Sequence, residues 1–316
     1  MEQSQEAFQE PPQELSRVNT KQPISGTVLV IVAALLFACK GTLIKYIYTL
    51  GAGVADVMIL RLLFSTPVYA WVALQHWPRS ERQLQPRQWL GVVLTGICGY
   101  YIASYCDMLG LQSISAGLER IILYTYPAFV VIFSAWLFKK PLSPLLFLYI
   151  AISYVGLFLV FYADIRTQPT ASITATITGS LFVLVSAITF SGYVIGSEYY
   201  MRKISSALFT SVAMLAASAA MTLHYGVFNS PAHLLQLSAS VYGWCLLTAI
   251  VFTVLPAFMM SAGVRQIGSA KAGGIGMVGP LATLVIAASV LGETVTLLQV
   301  VGFIVVVFAI HRLHRA

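Results

Sequence analysis

Four charged side chains, Lys40, Arg61, Glu119 and Arg120, stand inside runs of residues otherwise apolar enough to be buried in lipid. A charge at the centre of a membrane helix costs about 2.5–3.5 kcal/mol on insertion scales, so each of the four needs a reason to be there. Lys40 is the deepest. Its stem either snorkels towards the interface or presents its ammonium group to an internal cavity, where it would suit an anionic or zwitterionic solute. Glu119 and Arg120 are adjacent, and neighbours on a helix diverge by about 100°, so each is expected to find its partner on another helix. Arg61 is the expected partner of Glu119, either as a static clasp or as an outer gate broken during a transport cycle. Glu119, an acid clearly inside a span, is also the first candidate for proton coupling. Arg120 shares a helical face with Tyr124 and Pro127, so it reads either as a carboxylate-binding cation beside an aromatic ring or as an anchor for lipid headgroups. Tyr101 and Tyr193 lie nearest mid-span among the tyrosines that could add aromatic surface with a polar tip, although interfacial belts also use tyrosine. Pro127 and Pro280 interrupt helical hydrogen bonding and are candidate hinges.

These residues must be positioned by membrane helices. The 316 residues are 58% hydrophobic and 9% charged, against about 25% charged in a soluble domain. Long apolar runs without strand alternation predict an all-α membrane protein. Ten spans are expected, at 26–48, 55–75, 88–110, 116–138, 142–163, 178–200, 206–228, 240–262, 269–291 and 294–312. Residues 1–22, rich in Gln, Glu and Pro, read as a disordered cytoplasmic tail. Lys and Arg concentrate at one set of helix ends, among them Arg79, Arg82, Arg87, Lys139, Lys140, Arg202, Lys203 and Arg312, while the alternate set holds Arg166. By the positive-inside rule both termini and the loop at residue 84 face the cytoplasm and the loop at residue 168 faces out. The net charge of +7 therefore belongs to orientation in the bilayer and not to a nucleic-acid face.

The chain repeats itself. Gly26 pairs with Gly179, Phe37 with Phe190, Gly110 with Gly263, Ile122 with Ile275 and Pro127 with Pro280, always 153 residues apart. Five spans per copy is an odd number, so the second copy enters the membrane upside down. The expected fold is ten transmembrane helices as two inverted five-helix repeats, residues 23–165 and 166–316. Inverted repeats are a mark of carriers that expose a midplane site alternately to each side.

Cys39, Cys98, Cys106 and Cys245 fall in apolar runs without metal-ligand spacing and read as packing residues. The histidines, His76, His224, His233, His311 and His314, sit at span ends or loops, so no catalytic constellation is evident, and neither a metal nor a cofactor is expected. The glycine-rich run from Ala270 to Pro280 follows no strand, which excludes a dinucleotide loop and favours close helix packing.

The run Ile59-Leu60-Arg61-Leu62-Leu63-Phe64, the run Leu118-Glu119-Arg120 followed by Tyr126-Pro127, and Leu291-Gly292-Glu293-Thr294 ahead of Gln299 and Gly302 together resemble EamA-type members of the drug/metabolite transporter superfamily. Lys139-Lys140 stands where the second copy has Gly292-Glu293, so the first copy lacks that acidic turn. The resemblance implies a ten-helix inner-membrane carrier of small organic solutes, with several members exporting amino acids or metabolites. An amino-acid-like solute and export are the expectations that follow, with the lipid bilayer as the surrounding partner and a homodimer left open. A sugar-like or drug-like solute and a scaffold without transport are the alternatives.

Overall fold

The structure, a computed structural model, describes residues 25–77, 84–138, 144–167, 172–267, 278–292 and 295–313, with Ala272 and Ile275. Every regular element among them is helical: α1 (Gly26–Thr49), α2 (Val54–His76), α3 (Pro86–Leu111), α4 (Ala116–Leu123), α5 (Tyr126–Phe138), α6 (Pro144–Thr167), α7 (Ile173–Met201), α8 (Ser206–Phe228), the short α9 (Pro231–Leu234), α10 (Ala239–Ile267), α11 (Val278–Leu291) and α12 (Leu297–Leu313). Serine hydroxyls start several of them. Ser25, Ser115, Ser172, Ser205 and Ser238 each accept a backbone N–H three residues on, which satisfies a donor that the helix itself cannot. Gly51, at φ +90°, turns the chain from α1 into α2 in a conformation that a residue with a Cβ rarely adopts.

Six helices, α1, α2, α3, α7, α8 and α10, are each long and apolar enough to cross a bilayer by length and composition. The other expected spans correspond to the interrupted pair α4–α5 and to α6, α11 and α12, which border or include residues outside the described set. The outward faces are apolar, with Trp71, Leu74, Trp136, Leu223 and Phe228 among the most exposed side chains. A surface of that kind fits hydrocarbon, not water. The expectations placed on residues 1–22, Lys139, Lys140, Gln168, Lys271, most of the glycine-rich run and Glu293 lie outside the described residues.

Two devices recur at the repeat spacing. Helix α3 contains a π turn at Ile97–Ile102 and α10 contains one at Ile250–Val254, and their first residues are 153 apart. The glycine contacts recur as well. Gly110 of α3 packs on Gly179 and Val183 of α7, while Gly263 of α10 packs on Gly26 and Val30 of α1. All three positions of the second contact are partners of the first under the 153-residue shift. In lipid, where apolar burial does not drive helices together, such small residues gain dispersion energy by letting backbones approach. A third close approach, Gly156 on Gly302, joins α6 to α12.

Candidate functional site

The α4–α5 break organises the site. Ser115 caps α4, which ends at Tyr124 with ψ near zero, and the Thr125 hydroxyl donates to the Ile122 carbonyl at 2.7 Å. Pro127 lacks the N–H that a continuous helix would send to the Leu123 carbonyl, so the helix stops and restarts at Tyr126. This interruption puts Leu123, Tyr124, Tyr126 and Pro127 into the wall of an internal cavity of about 250 Å³. Pro127 thus coincides with a real discontinuity. Pro280 lies in α11 close to residues outside the described set, and its side chain is among them.

The cavity is zoned. At one end stand Lys40, Arg61, Asp107 and Arg120. Phe37, Tyr100, Tyr124, Tyr126, Phe190 and Tyr193 form aromatic walls, and Ser104, Ser186, Ser197, Thr253 and Ser261 add hydroxyls. From the charged end, near the end of α3 and the starts of α2 and α4, the space extends towards Met201, Val264 and Ala272, near the ends of α7 and α10. Lys40 is partly accessible although protein surrounds it, because the surface it exposes faces this cavity. Its ammonium lies 5.8 Å from the Phe37 ring centroid, and Asp107 is the anionic group acting on it most strongly.

Glu119 and Arg120 meet, contrary to the expected divergence. Glu119 Oε2 is 3.6 Å from Arg120 Nε, with the two side chains 0% and 5% exposed. Backbone directions do diverge by about 100°, but the arginine stem is long enough to bring its guanidinium back to the neighbouring carboxylate, and both charges are buried there. Gly41 of α1 makes the space: a Cβ there would lie 3.3 Å from both Arg120 Nη2 and Glu119 Oε2. Arg120 also donates from Nη2 to the Phe37 carbonyl at 3.0 Å, tying α4 to α1. The expected Glu119–Arg61 pairing is not the contact formed. Arg61, 3% exposed, turns its Nη2 to Met58 Sδ at 2.9 Å.

Tyr193 and Tyr124 line the cavity as expected, and Tyr101 does not. Its hydroxyl instead meets His224 Nδ1 at 2.5 Å, beside Tyr105, and the cavity is faced by Tyr100, whose hydroxyl lies 2.9 Å from that of Tyr193. The cause is the π turn. An i→i+5 turn takes in one residue more than an α turn and rotates the faces that follow, so α-helical spacing selects the wrong tyrosine. Asp107, 5% exposed, is not among the expected site residues. Its signal was available: it is an acid on the apolar α3, reached from Lys40 and Arg61 on other helices. The Glu198–Arg202 pair, at 3.1 Å, is the surface contact that its i, i+4 spacing implies.

A bundle of apolar helices enclosing a cavity with charge at its buried end describes a multi-pass membrane protein built to hold a small solute. The chain belongs to the EamA-like transporter family, whose model matches residues 24–162 and again 177–311, two matches that begin 153 residues apart. It is a membrane transporter, and this is not an enzyme family. It is 30% identical to YcbK, an uncharacterized transporter of Bacillus subtilis, over 89% of this chain and 90% of that protein. An uncharacterized transporter of Synechocystis sp. is 23% identical over 95% of each chain. A solved structure aligns with a TM-score of 0.65 at 16% identity, covering 90% of this chain and 94% of its own, which extends the likeness to the fold.

Proposed function

We propose that this transporter carries a small amino-acid-like solute through the central cavity by alternating access. The observation that carries the reading is the zoning of one cavity: Lys40 and Arg120 for a carboxylate, Asp107 for an ammonium group, and tyrosine and phenylalanine walls for the solute body. Charge-assisted hydrogen bonds of this kind orient a ligand, while aromatic surface accommodates varied side chains. Ten spans in two inverted five-helix repeats are part of the proposal. The paired π turns and the repeated Gly110–Gly179 and Gly263–Gly26 contacts support it. Arg61 and Glu119, with Arg120, form the gate at the charged end, and Pro127 and Pro280 are its hinges. Export across the plasma membrane is the proposed direction, resting on the family resemblance and not on the geometry.

Purified protein in liposomes, tested for flux of a panel of radiolabelled amino acids, decides the matter. Saturable flux of at least one, abolished by an excess of the unlabelled solute, is the expected result. A folded protein that moves none of them, but moves sugars or apolar drugs, would overturn the solute class. One that moves nothing at all would support the scaffold alternative.

A further inference from the structure

The carboxyl groups of Asp107 on α3 and Glu119 on α4 stand within hydrogen-bonding reach of each other. Neither is well served by its surroundings. Among the described residues, Asp107 Oδ1 and both oxygens of Glu119 are buried without a hydrogen-bond donor. Of the nearby arginines, Arg120 sends its Nη2 to the Phe37 carbonyl and Arg61 its Nη2 to Met58 Sδ, and the Nε of each is buried without a hydrogen-bond partner among the described residues. Arg120 Nε, at 3.6 Å from Glu119, is too far for a hydrogen bond. Lys40 acts on both carboxyls from α1, which also presents Tyr48 to Asp107 and Cys39 to Arg120. Tyr124 approaches Glu119 from its own helix, and α11, packed against α4, has no ionisable residue in its described sequence.

Two ionised carboxylates in contact repel, and each buried lone pair without a donor carries a desolvation cost. One proton between them removes both penalties, because a protonated carboxyl is a donor and its ionised neighbour an acceptor. The pair is also asymmetric. Asp107 lines the cavity, whereas Glu119 is fully buried behind it. We propose that Asp107 and Glu119 together hold one exchangeable proton, with Asp107 as its point of exchange with the cavity.

The proposal deepens the amino-acid reading above. A substrate ammonium arriving at Asp107 favours the ionised form, so the proton leaves to cavity water as the solute binds: the pair gains one negative charge as one positive charge arrives. By linkage, a proton bound at the pair weakens solute binding by the same factor. Such exchange of proton for solute would couple solute export to proton entry.

The test needs no substrate. Infrared spectra of the purified full-length protein in detergent at neutral pH should contain the carbonyl stretch of one protonated carboxylic acid, shifted in heavy water and lost at alkaline pH. Asp107→Asn and Glu119→Gln should each abolish it, since either amide supplies a donor to the remaining carboxylate and removes the need for a proton. Asp56→Asn, away from the cavity at a carboxyl served by Tyr225 and the Gly53 N–H, should leave it unchanged. A wild-type spectrum without the band overturns the proposal whatever the variants do. So does a band that survives either site substitution, because the proton is then not shared. An absent band with amino-acid flux intact would remove the proton site and leave the carrier; a band without flux would do the reverse.

Discussion

Replacing Gly110 and Gly263 by alanine tests the repeat register and the packing energetics together. A Cβ on Gly110 would meet Val183 Cγ2 and lie 2.5 Å from the Gly179 carbonyl oxygen; on Gly263 it would lie 2.5 Å from Val30 Cγ2 but 3.1 Å from the Gly26 carbonyl. In both cases a valine methyl must shift, and valine is stiff in a helix. At Gly110 a backbone oxygen must move too, so α3 and α7 have to separate. Overpacking typically costs about 1–3 kcal/mol, and alanine returns up to about 1 kcal/mol of helix propensity relative to glycine. Gly110→Ala should therefore lose roughly 1–2 kcal/mol and Gly263→Ala roughly 0–1 kcal/mol. The assay is equilibrium unfolding of purified protein in mixed micelles titrated with a denaturing detergent, followed by circular dichroism. Gly110→Ala no less stable than Gly263→Ala would refute the reasoning that backbone approach, and not methyl crowding, sets the cost.

Other predictions concern the site and its orientation. Lys40→Met should weaken binding of a transported amino acid by about 1.5–3 kcal/mol, roughly 10- to 150-fold in half-saturation, with expression retained; unchanged half-saturation in liposomes would make Lys40 a snorkelling residue. Tyr100→Phe should raise half-saturation about 2- to 10-fold through loss of the hydroxyl contact with Tyr193, whereas Tyr101→Phe should leave it unchanged. The reverse order would restore the register expected from α-helical spacing. For topology, a cysteine at Gln168 in a background without native cysteines should react with a membrane-impermeant maleimide added from outside, and one at Arg87 should not. Arg87 is a better inner probe than Leu84 of the same loop, because Leu84 is 8% exposed and packs into the core, so a cysteine there would be shielded from either side.

The one-dimensional pattern was enough for the solvent and the duplication. Few charges and long apolar runs without strand alternation require helices in lipid, because hydrocarbon admits only helices and closed barrels, and a barrel needs that alternation. The 153-residue spacing predicts which glycines are equivalent, because copies of one packing unit keep small residues wherever backbones touch. Lys40, Arg61, Glu119 and Arg120 stood out because a charge at such depth is costly enough to be informative alone. What the charges contact was decided only in three dimensions. Tyr100 replaced Tyr101 because a π turn shifts the face that follows it, and no residue type in Ile97–Ile102 announces that extra residue. Arg120, not Arg61, became the ion partner of Glu119 because Gly41 on another helix leaves room for the arginine to fold back. Asp107 joined Glu119 because α3 and α4, joined by a short turn, place their acids side by side. Spacing along one helix cannot express an approach between side chains of two helices, and at this site that approach determines which carboxyl lacks a donor.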